Sequence, residues 1–431
     1  MLFAKWKSLL RTDWYRGIFA VCVGLLLPEY MAVVALIPAL IFLIRAAKAE
    51  NRKPQIGRLG LCLIVYIATM YVSIAVSLHP LHSLLMSLLW TVLPISYFLV
   101  TTVLTDRERL RVTLKTLGAV LGVCGVISIL QYLFCRVFGL EKTPLQFWEP
   151  LDKLVFSYFP MELILDWADV RTAAVFNNPN LYGQFTVMLL PFVLYNSLTA
   201  EHRLGKRVHG AWGALCLLGV LFTFSRGSYL GLILMVLMYL ALSLARSKTA
   251  RRLALVAAVA AILFVVIPNP FMDRLASISI GDIAVNARLQ AWTTALEAIA
   301  KRPILGYGAG TLNAMDLIQS AGIAGTPHTH NTVLELLVEG GVLSLLPFLL
   351  ICAFFLADHL RIRRFEDRND RFLSIAFLSM FFGFALNIMV DYPFSVPKLS
   401  IVFMMLLGFS DVHFDLCGVR ALRVATFRKG K

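Results

Sequence analysis

The sequence is dominated by apolar runs separated by short basic clusters. A helix needs about 20 apolar residues to cross the hydrocarbon core of a bilayer. Runs at or approaching that length recur along the whole chain, at 17–27, 30–44, 59–78, 83–104, 116–138, 181–198, 211–224, 227–245, 253–267, 332–357, 372–390 and 397–410. We therefore predict an all-α integral membrane protein with about twelve transmembrane helices, in which Pro28 and Glu29 separate the first two as a hairpin.

The composition agrees with a lipid environment and excludes other classes. Hydrophobic residues make up 59% of the chain and charged residues 15%, against about 45–50% and about 25% in soluble domains. The net charge of +15 would suit a nucleic-acid partner, but the basic residues lie between apolar runs, as in membrane-protein loops. We therefore expect no nucleic-acid partner. The seven cysteines form no CxxC pair, which argues against a disulfide framework or a metal site.

The basic clusters predict the orientation. With twelve spans, the side that carries both termini holds 30 of the 40 lysines and arginines, and the other side holds ten. The acidic residues divide almost evenly, so the bias is specific to positive charge, as the positive-inside rule requires. We predict a multi-pass protein of the cytoplasmic (inner or plasma) membrane, with both termini in the cytoplasm.

Two long connections fall on the extracytoplasmic side, at about 139–180 and at about 268–331. The second is a large loop between spans 9 and 10. Loops of this length are commonly functional or disordered. Both carry aromatic and apolar residues throughout, which favours folded segments at the membrane surface. We treat residues 1–431 as a single polytopic membrane domain that carries these two outer loops.

The second loop contains a predicted amphipathic helix over residues 284–302, ended by Pro303 and a glycine-rich turn. Its apolar residues fall on one stripe at helical spacing: Val285, Leu289, Trp292, Leu296 and Ile299. Arg288 lies at the edge of this stripe rather than on the polar face. It either snorkels along apolar surface or binds an anion at the membrane surface, and we favour the second.

A second arginine, Arg226, lies between spans seven and eight in the segment TFSRGS, with almost no loop around it. A charge held so close to lipid is usually functional or paired. The adjacent Gly227 lets another backbone or a ligand approach closely. Snorkelling to the outer headgroups is the alternative.

The third motif is PHTHN, which leads into the span at 332–357. Thr329 or Asn331 can cap this helix, and a histidine at a helix N-terminus tends to be neutral and able to act as a general base. Glu335 and Glu339 follow in the helix; they orient the histidine, pair with an arginine or bond to a neighbouring helix. Zinc binding by His328 and His330 lacks further ligands nearby in sequence, so we expect no metal.

Two smaller features share the outer side. The segment FNNPN predicts a turn and a helix cap before the sixth span, and Asp391 lies in the short turn between the last two spans, where it could pair with an arginine. Two arginines, a histidine and an aspartate thus map to one face beside lipid. Arginine suits phosphate groups because its planar guanidinium stays charged and donates two hydrogen bonds at once. This set predicts a site for a lipid-linked pyrophosphate, with a base that activates an acceptor hydroxyl.

These stretches resemble the O-antigen ligase and O-antigen polymerase family, the Wzy-C and WaaL-like membrane glycosyltransferases of the GT-C class. The resemblance covers about residues 170–395 and is carried by FNNPNLYGQF, TFSRGSYLG, ARLQAWTTALEAIAKRPILGYGAGTLN and PHTHNTVLELLVEGGVLSLL. It implies a GT-C-like fold that transfers a glycan from an undecaprenyl-pyrophosphate donor to a glycan, lipid or polymer acceptor, with membrane lipids around it and no cofactor or metal.

By the matching motifs, the resemblance implies that Arg226 and Arg288 hold the pyrophosphate and that His330 is the base. His328, Glu335 and Asp391 would support them. It leaves ligase, polymerase and protein oligosaccharyltransferase open. Two rivals remain: a polysaccharide or lipid transporter, which predicts charged residues deep in several spans or helices broken near the midplane, and a shape-and-division family peptidoglycan polymerase, whose motifs are not evident.

Overall fold

The fold was examined in a computed structural model, which describes residues 7–29, 31–52, 56–138, 171–244, 251, 255, 283–323, 328–362 and 365–418. Within these ranges the regular structure is helical, without strands. The first half contains α1 Asp13–Leu26, α2 Met31–Val34, α3 Leu36–Ala49, α4 Arg58–Ser73, α5 Pro80–Val92, α6 Ile95–Val103 and α7 Arg107–Phe138. The second half contains α8 Pro179–Thr199, α9 Arg203–Leu221, α10 Arg226–Leu244, α11 Ile283–Lys301, α12 Thr311–Ser320, α13 Thr332–His359, α14 Arg368–Ile388 and α15 Pro397–Leu416.

In the described ranges, nine helical segments are long and apolar enough to cross a membrane. They are Met31–Ala49, Arg58–Val76, Pro80–Val103, Arg107–Cys135, Pro179–Thr199, Arg226–Ser243, Thr332–His359, Arg368–Ile388 and Pro397–Leu416. Each predicted apolar run contains a described helix except 253–267, of which only Leu255 is described; residues 139–170 and 268–282 of the outer loops lie outside the described residues. A multi-pass helical membrane protein is therefore confirmed, whereas the total of twelve spans stays a prediction.

Exposed apolar side chains cover the outside of the bundle. Ile37 of α3, Leu81 of α5 and Leu346 of α13 are 61%, 70% and 52% exposed, which would be costly in water and is normal against lipid. The centre is closely packed by contrast. Glycine permits the approach of α10 to α14, since a Cβ on Gly231 would lie 2.9 Å from the carbonyl oxygen of Gly383.

The two ends of the bundle differ in their polar contacts. The helices α13 and α15 begin, and α14 ends, at what we call the His330 end; the opposite one is the Arg107 end. Buried or half-buried ion pairs join helices at the Arg107 end. Arg58 Nη2 lies 2.6 Å from Asp358, and Arg107 Nη2 lies 2.6 Å from Asp370. The predicted partition of arginine and lysine between the two sides of the membrane stays a prediction.

A glycine-rich loop joins α11 to α12 and packs against α13 at the His330 end. The N–H groups of Tyr307 and Gly308 donate to the carbonyl oxygens of Val338 and Glu339 at 2.8 and 2.9 Å. In α13, Gly341 has φ +63°, and a Cβ there would lie 2.2 Å from the carbonyl oxygen of Ile304. Glycine is required at this position by both conformation and space. The loop backbone therefore fills an interruption in α13 and fixes α11 beside it.

Candidate functional site

The first turn of α13 is tightly capped. Asn331 is the N-cap, because its Oδ1 accepts from the N–H groups of Val333 and Leu334 at 3.0 and 3.1 Å. Of the two predicted capping residues, Asn331 is therefore the one used. Glu335 reaches back and accepts from both the N–H and the hydroxyl of Thr329, at 2.9 and 2.7 Å. This reciprocal arrangement resembles a capping box and satisfies polar groups that would otherwise be buried without partners.

His330 lies in a left-handed backbone conformation, with φ +50°. That conformation is uncommon for a residue with a side chain and persists only where neighbouring contacts hold it. The His330 N–H donates to Nδ1 of His328 at 3.1 Å, and the indole N–H of Trp292 donates to the carbonyl oxygen of Thr329 at 2.8 Å. Asn331 donates from its side chain to the carbonyl oxygen of Met389 at 3.0 Å. The segment is thus tied to both α11 and the end of α14.

These contacts bring His330 to Asp391. Nδ1 of His330 lies 3.1 Å from Oδ1 of Asp391, and their side chains are 23% and 11% exposed. Gln184 of α8 donates to Asp391 Oδ2 at 2.8 Å, and the N–H of Tyr392 donates to Oδ1 at 2.9 Å. An ionised carboxylate only accepts hydrogen bonds, so Nδ1 carries the proton and Nε2 keeps its lone pair. This is the tautomer of a general base.

The charge state of Asp391 follows from competing effects. Burial raises the pKa of its carboxyl group, but the hydrogen bond from His330 and the positive charge that the two histidines can carry outweigh burial. The pKa of Asp391 is consequently held below its usual range. Asp391 is therefore ionised at neutral pH and can stabilise an imidazolium on His330.

His328 is a neutral companion of His330. Burial, followed by the positive charge of His330, lowers the pKa of His328 from 6.5 to about 3. Its ring centroid lies 4.1 Å from that of His330. Because Nδ1 of His328 accepts the His330 N–H, the ring supports the left-handed backbone of its neighbour. Of the two histidines, His330 is the one that contacts the Asp391 carboxylate, and its role as base stays a prediction.

Arg288 lies half-buried on α11, close enough to His328 for its charge to contribute to lowering the pKa of that imidazole. The helix predicted at 284–302 is confirmed as Ile283–Lys301. Its alanine face packs on the protein, with Ala291, Ala295 and Ala298 buried. Leu289 and Leu296 of the predicted stripe are instead exposed, at 44% and 57%, as expected for side chains that face a membrane surface.

Arg226 is the first residue of α10. It follows Phe224, whose φ of +48° marks a sharp turn, and Ser225, whose hydroxyl accepts from the Ser228 hydroxyl at 2.8 Å. A Cβ on Gly227 would lie 3.4 Å from Val390, so this turn runs beside the residue that precedes Asp391. The positive end of a helix and a guanidinium at the same place favour an anion.

Several residues of the site were not predicted from the sequence. Arg171 donates to the carbonyl oxygen of Thr223 at 2.9 Å and to Asn180 Oδ1 at 3.2 Å, which ties the Arg226 turn to the start of α8. Gln184 holds Asp391 from the same helix. Gln184 belongs to the FNNPNLYGQF stretch, and an amide inside an apolar span was the available signal. The predicted cap there is Asn178, which accepts from the Asn180 N–H at 2.8 Å.

The two glutamates of α13 do not contact His330 directly. Glu335 bonds to Thr329, and Glu339 accepts from the Tyr392 hydroxyl at 3.3 Å. Both are buried. They therefore hold the backbone segment and the turn on either side of the His330–Asp391 pair. Tyr392 and Glu339 also line a narrow cleft, together with Trp90, Thr311 and Ser395 among others.

The fold also supplies a third potential metal ligand that the sequence did not place near the histidines. One donor atom each from His328, His330 and Asp391 lie within 4.8 Å of one another. His330 Nδ1 contacts Asp391, and His328 Nδ1 accepts a backbone N–H. This arrangement fits an acid–base pair, and the absence of a metal from the reaction stays a prediction.

The O-antigen ligase family model (Wzy_C) matches residues 211–349. The matched segment includes Arg226, Arg288, His330 and Glu335 and ends before Asp391. Among curated proteins, none matches the chain.

Proposed function

We propose that the chain transfers a glycan from an undecaprenyl-pyrophosphate donor to an acceptor hydroxyl, on the premise that residues 211–349 match the O-antigen ligase family model. The reaction takes place on the extracytoplasmic face of the cytoplasmic membrane, in lipopolysaccharide or cell-surface polysaccharide synthesis. The observation that carries the proposal is the His330–Asp391 pair, 3.1 Å apart and beside lipid-facing helices. A base oriented by a carboxylate is what activation of a hydroxyl requires.

In the proposed reaction, His330 Nε2 takes the proton of the acceptor hydroxyl as its oxygen bonds to the anomeric carbon of the donor sugar. The bond from that carbon to the pyrophosphate breaks, and the lipid pyrophosphate leaves with the electron pair. Asp391 stabilises the imidazolium that forms. A positioned general base contributes about 10²–10⁴-fold to the rate of such a step.

Arg226 and Arg288 supply the complementary charge. As the bond breaks, negative charge grows on the pyrophosphate oxygens, and guanidinium groups at a low-dielectric surface stabilise it strongly. The exposed Leu289 and Leu296 of α11 support a position of that helix against lipid, where the lipid tail of the donor would lie. In the proposal, the two arginines stabilise the leaving pyrophosphate, so the reaction needs no metal ion.

The interruption in α13 bears on the transporter alternative. A broken helix in a transporter presents its unpaired backbone groups to an ion or a substrate. Here the N–H of Val342 donates to the carbonyl oxygen of Pro303 at 2.9 Å, and the loop backbone occupies the break. Loop backbone therefore packs into the interruption, which favours an enzyme over a transporter.

The test uses purified protein in detergent with an undecaprenyl-pyrophosphate glycan and candidate acceptors, and mass spectrometry identifies the product. Transfer of one preassembled block to a second lipid or polymer supports a ligase. Growth of the glycan on the lipid itself assigns a polymerase of the same family, and sugar on a protein assigns an oligosaccharyltransferase. Absence of both transfer and released lipid pyrophosphate with every acceptor would refute the proposal.

A further inference from the structure

A second cluster of ligating side chains lies at the Arg107 end, away from the candidate functional site. Asp370 near the start of α14, and His413 and Cys417 at the end of α15, place one donor atom each within 4.8 Å of one another. Asp370 and His413 are buried, and Cys417 is partly exposed. From this cluster we propose a Zn²⁺ site formed by the Asp370 carboxylate, His413 Nδ1 and the Cys417 thiolate, with water in the fourth position.

The spacing of the donors fits the metal. Zn–N and Zn–S bonds of about 2.0–2.1 and about 2.3 Å at a tetrahedral angle separate nitrogen from sulfur by about 3.6 Å. His413 Nδ1 and Cys417 Sγ are 3.7 Å apart. A set of imidazole, thiolate and carboxylate ligands suits Zn²⁺ better than it suits Mg²⁺ or Ca²⁺. The end of α15 adds the negative end of a helix dipole, which attracts a cation.

The ring nitrogen of His413 that faces away from the cluster has the partner a metal ligand needs. Nε2 lies 3.1 Å from the hydroxyl of Ser374, which lies 3.4 Å from Nδ1 of His359. His359 in turn contacts Ser410 at 2.9 Å. A proton on Nε2 that is donated to Ser374 leaves Nδ1 free to ligate, and such outer partners fix the orientation of ligating histidines.

Arg107 is the group that competes with the metal, and the structure gives it an alternative. Arg107 Nη2 lies 2.6 Å from Asp370 Oδ2, but its side chain is 54% exposed and its Nη1 lies 3.9 Å from Asp367. Arg107 can therefore retain Asp367 as partner when Asp370 ligates. The charges then balance: Zn²⁺ and Arg107 offset the Cys417 thiolate and the two aspartates.

The experiment titrates the full-length protein, purified in detergent and stripped with a chelator, with Zn²⁺. We expect one equivalent to bind and to raise the unfolding temperature. Cys417→Ser and His413→Gln each remove this binding, whereas Cys352→Ser, a matched cysteine substitution within α13, retains it. Ser374→Ala keeps the ligands and lowers the affinity by about 10- to 100-fold.

Two further measurements identify the ligands. Co²⁺ in place of Zn²⁺ gives a thiolate-to-metal absorption band that disappears in Cys417→Ser. His330→Ala retains the bound metal, because His328, His330 and Asp391 form a separate cluster at the other end of the bundle. Failure of the wild-type protein to bind Zn²⁺, unchanged binding by folded Cys417→Ser protein, or loss of binding in His330→Ala would each overturn the proposal. None of these outcomes depends on glycan transfer.

Discussion

His330 and Asp391 are 61 residues apart in the chain, yet Nδ1 of the first lies 3.1 Å from Oδ1 of the second. The pair joins the start of α13 to the turn between α14 and α15, and Gln184 of α8 holds its carboxylate from the other side. The helices α8 and α13 and the turn after α14 therefore meet at this pair, and Nε2 is the imidazole nitrogen assigned to react in the proposal.

We expect Asp391→Asn to lower glycan transfer by about 10²–10⁴-fold, comparable with the loss in His330→Ala. An amide can donate to Nδ1 and so stabilise the wrong tautomer, and it does not stabilise an imidazolium. Initial rates at saturating donor and acceptor measure this effect. The matched control is Asp316→Asn, which alters a partly exposed aspartate that contacts His79. Unchanged turnover in folded Asp391→Asn protein would exclude the carboxylate from the proposed chemistry.

Substitutions by alanine and by lysine test separately the charge and the planar shape of Arg226 and Arg288. Arg288→Ala and Arg226→Ala are each expected to abolish detectable transfer while the protein still inserts into the membrane. Lysine at either position restores only part of the activity, because an ammonium group does not match pyrophosphate oxygens with two parallel hydrogen bonds. Lys301→Ala removes an exposed positive charge from the same helix as Arg288 and serves as the control. Equal rates for Arg288→Ala and Lys301→Ala would contradict the assignment.

His328 predicts a specific dependence of stability on pH. Its pKa is about 3 in the folded chain and about 6.5 in an unfolded one, so the unfolded state binds more protons between these values. Stability therefore rises with pH from about 3 to about 6.5. Unfolding temperatures of wild type and His328→Gln across this window test it, and the variant should show the shallower slope. Asp391 contributes to the pH dependence of stability only below about pH 4, because the pKa of its carboxyl group is lower in the folded state than in the unfolded state. Parallel curves for the two proteins would remove His328 as the source.

Gly341→Ala is expected to destabilise the fold substantially. Its φ of +63° costs a non-glycine residue about 1–3 kcal/mol, and the added Cβ would also meet the Ile304 carbonyl oxygen. Gly322 provides a control with a similar φ of +82° and open space around it, so Gly322→Ala pays only the conformational cost. Thermal unfolding in detergent compares the two. Similar unfolding temperatures would show that the loop does not pack closely in α13.

The sequence predicted the helices, the break at Pro28 and the parts of the site that lie in contiguous motifs, because apolar runs and caps are local signals. The sequence groups Asp391 with His330 and predicts an arginine as its partner, and the structure instead gives it His330. The contact of Gln184 with Asp391 and the burial of the alanine face of α11 also became evident only in the structure. Such contacts depend on which helices become neighbours, and hydropathy does not encode that.

The backbone bonds between the glycine-rich loop and α13 have a mechanical consequence. Tyr307 and Trp292 join α11 to α13 through contacts with Val338, Ala298 and Thr329, so Arg288 and His330 move together as one rigid block. Arg226 begins α10, which packs on α14, and Asn331 ties the His330 segment to the end of α14 as well. The base therefore shares its backbone supports with both arginines, and a substitution that loosens either support is expected to shift the imidazole relative to the pyrophosphate.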